Sequence, residues 1–348
     1  MRAVLTIEDT ASPAAIALPL RPRPRLGFLG TGWIGRHRMR AIADAGCVDI
    51  AAVADASDDA LRDARAIAPG ATAVASFDAL LAEQLDGVVI ATPSALHAEQ
   101  AEAALARGIA VFCQKPLART AAESERVVAA ARHADRLLGV DLSYRHTEAM
   151  RRIRPLVASG EIGDVYAVDL TFHNAYGPDK AWFRDPRLAG GGCVIDLGIH
   201  LVDLALWTLR FPAVAAVTSR LYVQGTPLRA AGGEVEDHAV AQLDLDGGAV
   251  VRLACSWNLS AGRDAVIEAT FHGTRGGASM RNVGGSFYDF VAERHHGTRT
   301  TTLARPPDEW GGRAATEWAR ALAAGARFDP AIDRVVDVAR VLDAIYGR

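Results

Sequence analysis

A glycine-rich turn directly after a short apolar segment constrains the fold of this chain more than any other feature. The turn has the spacing Gly30-x-Gly32-x-x-Gly35, follows the segment "LGFL", and precedes a helical pattern of apolar residues. Gly30 permits a tight turn, Gly32 lets the backbone approach a pyrophosphate, and Gly35 allows close packing of helix on strand. The N-terminus of such a helix attracts phosphate groups. The pattern therefore predicts a dinucleotide-binding loop that includes Trp33 and Ile34.

The next apolar segment, "VDIAAVAD", bears on the choice of cofactor. It ends in Asp55, 20 residues after Gly35. An acidic residue at this position can hold a ribose 2′-hydroxyl and would repel a 2′-phosphate. The following residues "ASDD" contain no arginine to receive such a phosphate. We therefore expect NAD as the cofactor, with NADP as the second candidate. The alternative for Asp55 is a turn or helix-cap residue.

Apolar segments and helical segments alternate after this turn. Helices are predicted at 58–68, 78–84, 95–107 and 120–135. Strands are predicted at 73–75, 87–91, 110–113 and 137–141. Unbroken apolar strands between helices are typical of a parallel sheet that is covered on both faces. We therefore expect residues 25–143 to form an α/β Rossmann domain with a doubly wound parallel sheet, and residues 1–24 to form an N-terminal tail.

Lys115 follows the strand predicted at 110–113, in the segment "QKPL". Ligands of doubly wound sheets bind at the carboxyl ends of the strands, where a nicotinamide would also lie. A lysine there can bind a substrate oxygen or the nicotinamide ribose, and burial near a cation would lower its pKa toward proton transfer. The alternative is a surface lysine in a loop before Pro116.

The pattern changes after residue 143. Several segments alternate in the manner of strands, and "DGG" at 246–248 predicts a hairpin turn. We expect residues 144–330 to form an α+β domain with a large, mostly antiparallel open sheet. Such a sheet has one face for helices and one that a partner subunit can cover. A final helix at 331–348 can pack back on the Rossmann domain.

The segment "GGGCVIDLGIHLVDLALW" carries the second group of candidate catalytic residues. Asp196, His200 and Asp203 have the spacing i, i+4 and i+7, which places them on one face of an otherwise apolar helix. Asp196 could orient His200, which would then exchange a proton near neutral pH. We interpret Asp203 as structural. The alternative is an ordinary solvated helix face. No third ligand stands at a convincing spacing, so we expect no metal site.

Composition narrows the class of protein. The chain has 348 residues and a net charge of −3, and its basic residues are scattered, which argues against a nucleic-acid partner. Its four cysteines form no close pair, so we expect reduced thiols and a cytoplasmic location. The N-terminal segment has acidic residues before its apolar patch, an order that does not fit a secretory signal. The apolar segment at 190–207 has about the minimum length for a membrane span, but its two aspartates and its histidine argue against that reading.

An ordered set of segments resembles the glucose-fructose oxidoreductase, inositol dehydrogenase and MocA-like family. The segments are "GFLGTGWIGRHRMRA", "ATPSALHAEQAEAALARG", "QKPLARTAAESERVV", "SGEIGDV", "WFRDPRLAGGG" and "DLGIHLVDLALW". They extend over nearly all of residues 25–346. The resemblance implies an NAD(P)-dependent oxidoreductase that transfers a hydride between nicotinamide and a hydroxyl or carbonyl carbon of a sugar, cyclitol or related polyol. It also implies a homodimer or homotetramer that assembles through the C-terminal sheet.

The resemblance also assigns roles to individual residues. It implies that Lys115, Asp196 and His200 are catalytic. It places Thr92, Pro93, His97 and Gln114 beside the cofactor, together with Lys115. It suggests substrate contacts for Arg145, Asn174 and Trp182.

One departure from the family pattern is visible at residue 114, where glutamine replaces the usual glutamate. A neutral neighbour would lower the proton affinity of Lys115. Two other functions stay open at this point. One is an NADP-dependent reductase of a keto-sugar in a biosynthetic pathway, and the other is a non-catalytic protein that senses a dinucleotide.

Overall fold

The computed structural model describes residues 23–228 and 233–348. The predicted tail lies outside the described residues except for its last two positions. This part of the chain forms two sheets and ten α-helices. The fold class is the predicted one: a parallel Rossmann sheet is followed by a larger, mostly antiparallel sheet.

The first sheet has six parallel strands in the order β3-β2-β1-β4-β5-β6. The strands are β1 (Arg25–Leu29), β2 (Asp49–Ala54), β3 (Thr72–Ala73), β4 (Gly87–Ile90), β5 (Ala110–Cys113) and β6 (Leu138–Val140). The helices between them are α1 (Trp33–Ala45), α2 (Asp58–Ile67), α3 (Phe77–Ala82), α4 (Ser94–Ala106) and α5 (Ala121–Ala134). The order reverses between β1 and β4, and a ligand crevice forms at such a reversal.

The starts of these helices differ in a way that matters for the site. Ser57, Ser76 and Thr120 cap α2, α3 and α5, because each side chain accepts a hydrogen bond from a backbone N–H of the first turn. Helix α1 is preceded by Gly32, which has no side chain to cap it, and has no acidic residue in its first turn. Its first N–H groups therefore stay available to an anion.

The second sheet has nine strands in the order β15-β14-β13-β12-β7-β11-β10-β8-β9. The strands are β7 (Val165–Asn174), β8 (Val214–Val223), β9 (Thr226–Pro227), β10 (His238–Leu245), β11 (Val250–Ser256), β12 (Ala265–Gly273), β13 (Gly276–Asn282), β14 (Phe290–His296) and β15 (Arg299–Ala304). The predicted hairpin joins β10 to β11, with positive φ at Gly247 and Gly248. Strands β7 and β11 pair in parallel, and the other pairs of described strands are antiparallel.

Helices cover one face of the second sheet. The remaining helices are α6 (Glu148–Ala158), α7 (Pro186–Ala189), α8 (Ile199–Thr208), α9 (Arg313–Ala323) and α10 (Arg334–Tyr346). A π-helical turn, Val194–Gly198, leads directly into α8. Helices α6, α8 and α10 contact the strands of this sheet, and α10 also contacts α5 of the Rossmann domain.

The predicted domain boundaries at residues 143 and 330 assign helix α9 to the second domain, but this helix packs on the first domain. Its apolar residues Ala315, Trp318 and Ala319 belong to the same core as Phe28 and Phe112 of the parallel sheet. The Trp318 and Phe112 rings lie 5.6 Å apart. The chain therefore returns to the Rossmann domain after completing the second sheet.

One stretch of the described residues, Pro186–Thr208, is long and apolar enough to cross a membrane by length and composition. Its most apolar window is 89% buried inside the protein. Its apolar side chains therefore already have protein neighbours, as expected for the central helix of a packed core.

Candidate active site

A cavity of about 590 Å³ opens between the carboxyl ends of β4, β5 and β6 and the second domain. Eleven of the residues predicted for the site line it: Gly32, Trp33, Ile34, Thr92, Pro93, His97, Gln114, Lys115, Trp182, Asp196 and His200. The sequence separates these residues by up to 168 positions, so the fold brings two distant parts of the chain to one place.

The glycine loop between β1 and α1 has the shape of a phosphate cradle. Gly30 has a φ of +83°, and a Cβ there would lie 2.5 Å from the carbonyl oxygen of Ala91. A Cβ at Gly35 would collide with the carbonyl oxygen of Gly30. These positions require glycine, and the uncapped N-terminus of α1 faces the same space. The residues present therefore fit the pyrophosphate of a dinucleotide.

Asp55 stands at the end of β2 beside this loop. Its Oδ2 accepts a 2.5 Å hydrogen bond from the Thr31 N–H, and its Oδ1 accepts a 2.9 Å bond from the Ser57 N–H. These are contacts of the turn-forming alternative. Because each carboxylate oxygen has two lone pairs, they also leave acceptor capacity for a ribose hydroxyl.

Lys115 and Asp196 join the two domains inside the cavity. The Lys115 Nζ donates to Oδ1 of Asp196 and to its backbone oxygen, both at 2.7 Å. The Trp257 indole N–H donates to the other carboxylate oxygen at 3.1 Å. Both ionised side chains are more than four-fifths buried. The Asp196 carboxylate therefore neutralises Lys115 and fixes the direction of its ammonium group.

His200 lies deeper and lacks the predicted partner. The residue is 7% exposed, its ring lies 4.7 Å from the Tyr144 ring at a tilt of 54°, and its Nδ1 has no hydrogen-bond partner among the described residues. The predicted Asp196–His200 contact does not form, because Asp196 lies in the π-helical turn, whose wider spacing alters the i, i+4 alignment. Burial, together with the positive charges of Lys115 and Arg38, holds the pKa of His200 well below its ordinary value.

His97 connects two loops of the cofactor side. Its Nδ1 and Nε2 each lie 2.7 Å from a backbone carbonyl oxygen, one of Pro116 and one of Thr92. Thr92 also donates from its hydroxyl to the Gln100 side chain at 2.6 Å. His97 therefore fixes the loops after β4 and β5 relative to each other.

Two residues predicted to touch substrate lie outside the cavity. Arg145 donates from Nε to Asp203 Oδ2 at 2.8 Å and from a second N–H to the other oxygen, so both belong to a buried ion pair. This agrees with a structural role for Asp203 and removes Arg145 from the substrate contacts. Asn174 ends β7 away from the cavity lining, which leaves Trp182 of the predicted three.

Two models of known protein families match this chain, one in each domain. Residues 25–142 match the family described as an oxidoreductase family with an NAD-binding Rossmann fold, and residues 150–279 match the GFO/IDH/MocA C-terminal domain. The chain belongs to the Gfo/Idh/MocA oxidoreductase family. The predicted family, fold class and NAD(P)-dependent oxidoreductase class are thereby confirmed.

Individual relatives in the Gfo/Idh/MocA family are similar over different lengths. D-xylose 1-dehydrogenase (NADP(+)) 2 of Haloferax volcanii is 32% identical over 326 residues, which are 92% of this chain and 95% of that protein. D-glucoside 3-dehydrogenase of Escherichia coli K12 is 29% identical over 58% of this chain, a match that spans 60% of that relative. The structure of GenD2 from gentamicin A biosynthesis, in complex with NAD, superposes with a TM-score of 0.79 at 28% identity and covers 94% of each chain.

This Gfo/Idh/MocA protein also has cavity residues that sequence reasoning missed. They include Arg38, Asp141, Tyr144, Lys180, Tyr288 and Trp310. Asp141 follows β6, so the rule about strand ends that identified Lys115 could also have identified it. The side chain of Lys180 reaches the glycine loop, since a Cβ at Gly32 would lie 3.7 Å from its Nζ. Tyr288 and Trp310 come from loops of the second domain that carry no readable signal.

Proposed function

We propose that this protein transfers a hydride between NAD and a hydroxyl or carbonyl carbon of a sugar, cyclitol or related polyol. The observation that carries the proposal is the shared cavity, in which Lys115 from the Rossmann domain and His200 from the second domain stand beside the glycine loop. Relatives named as D-glucoside and D-xylose dehydrogenases support the substrate class.

The cofactor site is formed by the first domain and one loop of the second. Gly30, Gly32 and Gly35 would hold the pyrophosphate, and Asp55 the adenosine ribose. Lys180 would place its ammonium group over the same phosphates, because its Nζ lies near Gly32. It makes no ion pair with the described residues, so its charge is available to the phosphates. When bound, the nicotinamide supplies the hydride chemistry. Its ring would lie against the surface formed by Trp33, Ile34, Thr92, Pro93 and Gln114.

The proton chemistry belongs to Lys115 and His200. A neutral His200 can accept the proton of a substrate hydroxyl during oxidation, and its lowered pKa keeps it neutral at physiological pH. Lys115 would donate a hydrogen bond to the substrate oxygen as negative charge develops there. Asp196 then acts on Lys115, whose ammonium group it holds at 2.7 Å.

The cysteines support the proposed location, and the open sheet supports the proposed assembly. We propose a cytoplasmic homo-oligomer that assembles through the face of the second sheet that the described helices leave uncovered. Cys193 and Cys255 are distant in the sequence but have their sulfur atoms 3.8 Å apart, and we propose that a reducing compartment keeps them as thiols. A small-molecule sugar is the proposed partner, and we expect neither nucleic acid nor a membrane to bind.

The test is NADH formation at 340 nm with a panel of D-glucose, D-xylose, methyl β-D-glucoside, myo-inositol and D-glucuronate. We expect turnover with at least one neutral compound, and a loss of about a hundredfold or more in kcat for Lys115→Met and His200→Ala. NADH binding, followed by fluorescence, should change less than about threefold, because both residues act on the substrate side. His133→Ala, at an exposed position of α5, is the matched control.

Two outcomes would contradict the proposal. NADH binding without turnover of any panel compound would favour the dinucleotide-sensing alternative. Near-normal kcat in both variants would remove the assigned catalytic residues.

A further inference from the structure

We propose that Arg38 recognises the substrate, that it binds a pair of neutral hydroxyl groups, and that Asp141 and Gln114 position it for this task. The inference rests on the proposed function, because it concerns the same cavity. The proposed substrate is a neutral sugar and not a sugar acid. Arg38 would bind a vicinal diol of this sugar next to the reacting carbon.

Arg38 is a buried cation that reaches the cavity from α1. Its residue is 5% exposed and lines the cavity beside the loop that contains Gly311. Its Nε donates to Asp141 Oδ2 at 2.5 Å, and its Nη1 lies 3.0 Å from His37 Nδ1. Its Nη2 makes no hydrogen bond with the described residues. Because a guanidinium group donates in a fixed planar arrangement, the remaining N–H groups can reach two oxygen atoms at once.

Asp141 and Gln114 determine how Arg38 is held. The Gln114 amide donates to the same Asp141 oxygen as Arg38, also at 2.5 Å. Asp141 is 1% exposed, so this carboxylate is entirely enclosed by protein. A second carboxylate at position 114 would face Asp141 at this distance, and one of the two would have to bind a proton. Glutamine at position 114 therefore avoids a second buried carboxylate beside Asp141.

The charges in the cavity favour a neutral substrate. Arg38 is paired with Asp141, and Lys115 is paired with Asp196. A substrate carboxylate bound between them would meet two carboxylates and no uncompensated cation, which makes its burial costly. The other described charges of the lining, Asp179 and Lys180, are exposed at the mouth, and Lys180 lies over the glycine loop. Hydroxyl groups can accept from Arg38 without adding charge.

A purely structural brace between α1 and β6 is the competing explanation. A brace would affect thermal stability and NADH binding, and it would leave the ranking of substrates unchanged. Recognition predicts that KM and the ranking of substrates change while NADH binding does not.

The first experiment replaces Arg38 with Met. We expect KM for the best neutral sugar of the panel to rise about tenfold or more, because the substrate loses hydrogen bonds from a charged donor. The Kd of NADH should stay within about twofold. Arg62→Met, on the surface of α2, is the matched control. An unchanged KM in Arg38→Met would overturn the inference.

The second experiment changes the charge that compensates Arg38. Wild-type enzyme should prefer the best neutral sugar to D-glucuronate by about tenfold or more in kcat/KM, and Asp141→Asn should reduce this ratio about tenfold because it leaves Arg38 unpaired. Asp59→Asn, at an exposed position of α2, is the control. An unchanged ratio, or a wild-type preference for the uronate, would contradict the inference.

A double variant keeps the test valid if Asp141→Asn does not fold. Gln114→Glu combined with Asp141→Asn returns one acid to the cluster at the neighbouring position. We expect it to restore the neutral-to-uronate ratio to within about threefold of wild type, whereas Gln114→Glu alone should lower kcat/KM. A double variant no better than Gln114→Glu would contradict the inference. Absence of any turnover by wild type would instead refute the proposed function, which separates the two failures.

Discussion

At the scale of single residues, the environment of His200 predicts how the oxidation rate depends on pH. His200 faces the cations Lys115 and Arg38, each of which is paired with a carboxylate. It also faces the aromatic ring of Tyr144. Burial and these cations lower its pKa, so protonation occurs only well below pH 6.5. If neutral His200 accepts the substrate proton, oxidation should be lost only as the pH falls through this lowered pKa.

We therefore expect kcat/KM for oxidation to stay level from about pH 8 to about pH 6.5 and to fall at lower pH. Initial rates with NAD and the best panel sugar, measured in constant-ionic-strength buffers, give this profile. The residual activity of His200→Asn should lack the low-pH decline. A decline that begins above pH 7 would argue that another group carries the proton.

The residues also show which parts of the site the sequence could predict. Lys115 and the glycine loop were predictable, because strand ends and glycine spacing place side chains through local backbone geometry. The partner of Asp196 was not predictable, since a π-helical turn moved its carboxylate from His200 to Lys115. Arg145 was predicted from family resemblance alone, and only the tertiary structure revealed its pairing with Asp203.

At the scale of elements, the turn that carries Asp196 is stabilised from outside. The Glu236 carboxylate accepts hydrogen bonds from the N–H groups of Gly192 and Val194, and from the Tyr346 hydroxyl at 2.7 Å. The Tyr346 oxygen in turn accepts from the Ile195 N–H at 3.2 Å. Helix α10 therefore fixes the π-helical turn that precedes α8 through the hydroxyl group of Tyr346.

Tyr346→Phe should disturb this turn without removing any group from the cavity. We expect a loss of about 1 to 3 kcal/mol in the free energy of unfolding, since a buried acceptor loses its donor. We also expect kcat to fall about three- to tenfold with little change in NADH binding, because only the position of Asp196 is affected. Urea unfolding and steady-state kinetics measure both effects. Tyr166→Phe, at an exposed position of β7, is the control; equal losses in the two variants would contradict the assigned role.

The elements differ in how far the sequence specified them. The Rossmann strands were predicted within two residues at each end, because strands buried on both faces are unbroken apolar runs. The position of α9 was not predictable. An amphipathic helix records that it covers an apolar surface, and its sequence does not record which of two sheets supplies that surface.

At the scale of the whole molecule, the helices of residues 23–228 and 233–348 cover one face of the second sheet and leave the other face uncovered. Along β10, Ala239, Ala241 and Leu243 point to the covered core, whereas Val240 is 39% exposed on the opposite face. The register places Val240 between Arg220 of β8 and Ala254 of β11. A broad sheet face of this kind, with an exposed valine on the third strand from its β9 edge, is suited to a symmetric contact with a second copy of the chain.

We therefore expect a homodimer or homotetramer in solution, and we expect Val240→Glu to dissociate it. In a two-fold contact each subunit contributes the same residue, so one substitution buries two unpaired charges in the interface. Size-exclusion chromatography with light scattering measures the mass, and Val283→Glu, exposed in a turn outside the sheet face, is the matched control. NADH binding should be preserved in both variants, because the cofactor cradle lies in the Rossmann domain. A monomeric wild type, or a Val240→Glu oligomer of unchanged mass, would show that this face serves another purpose.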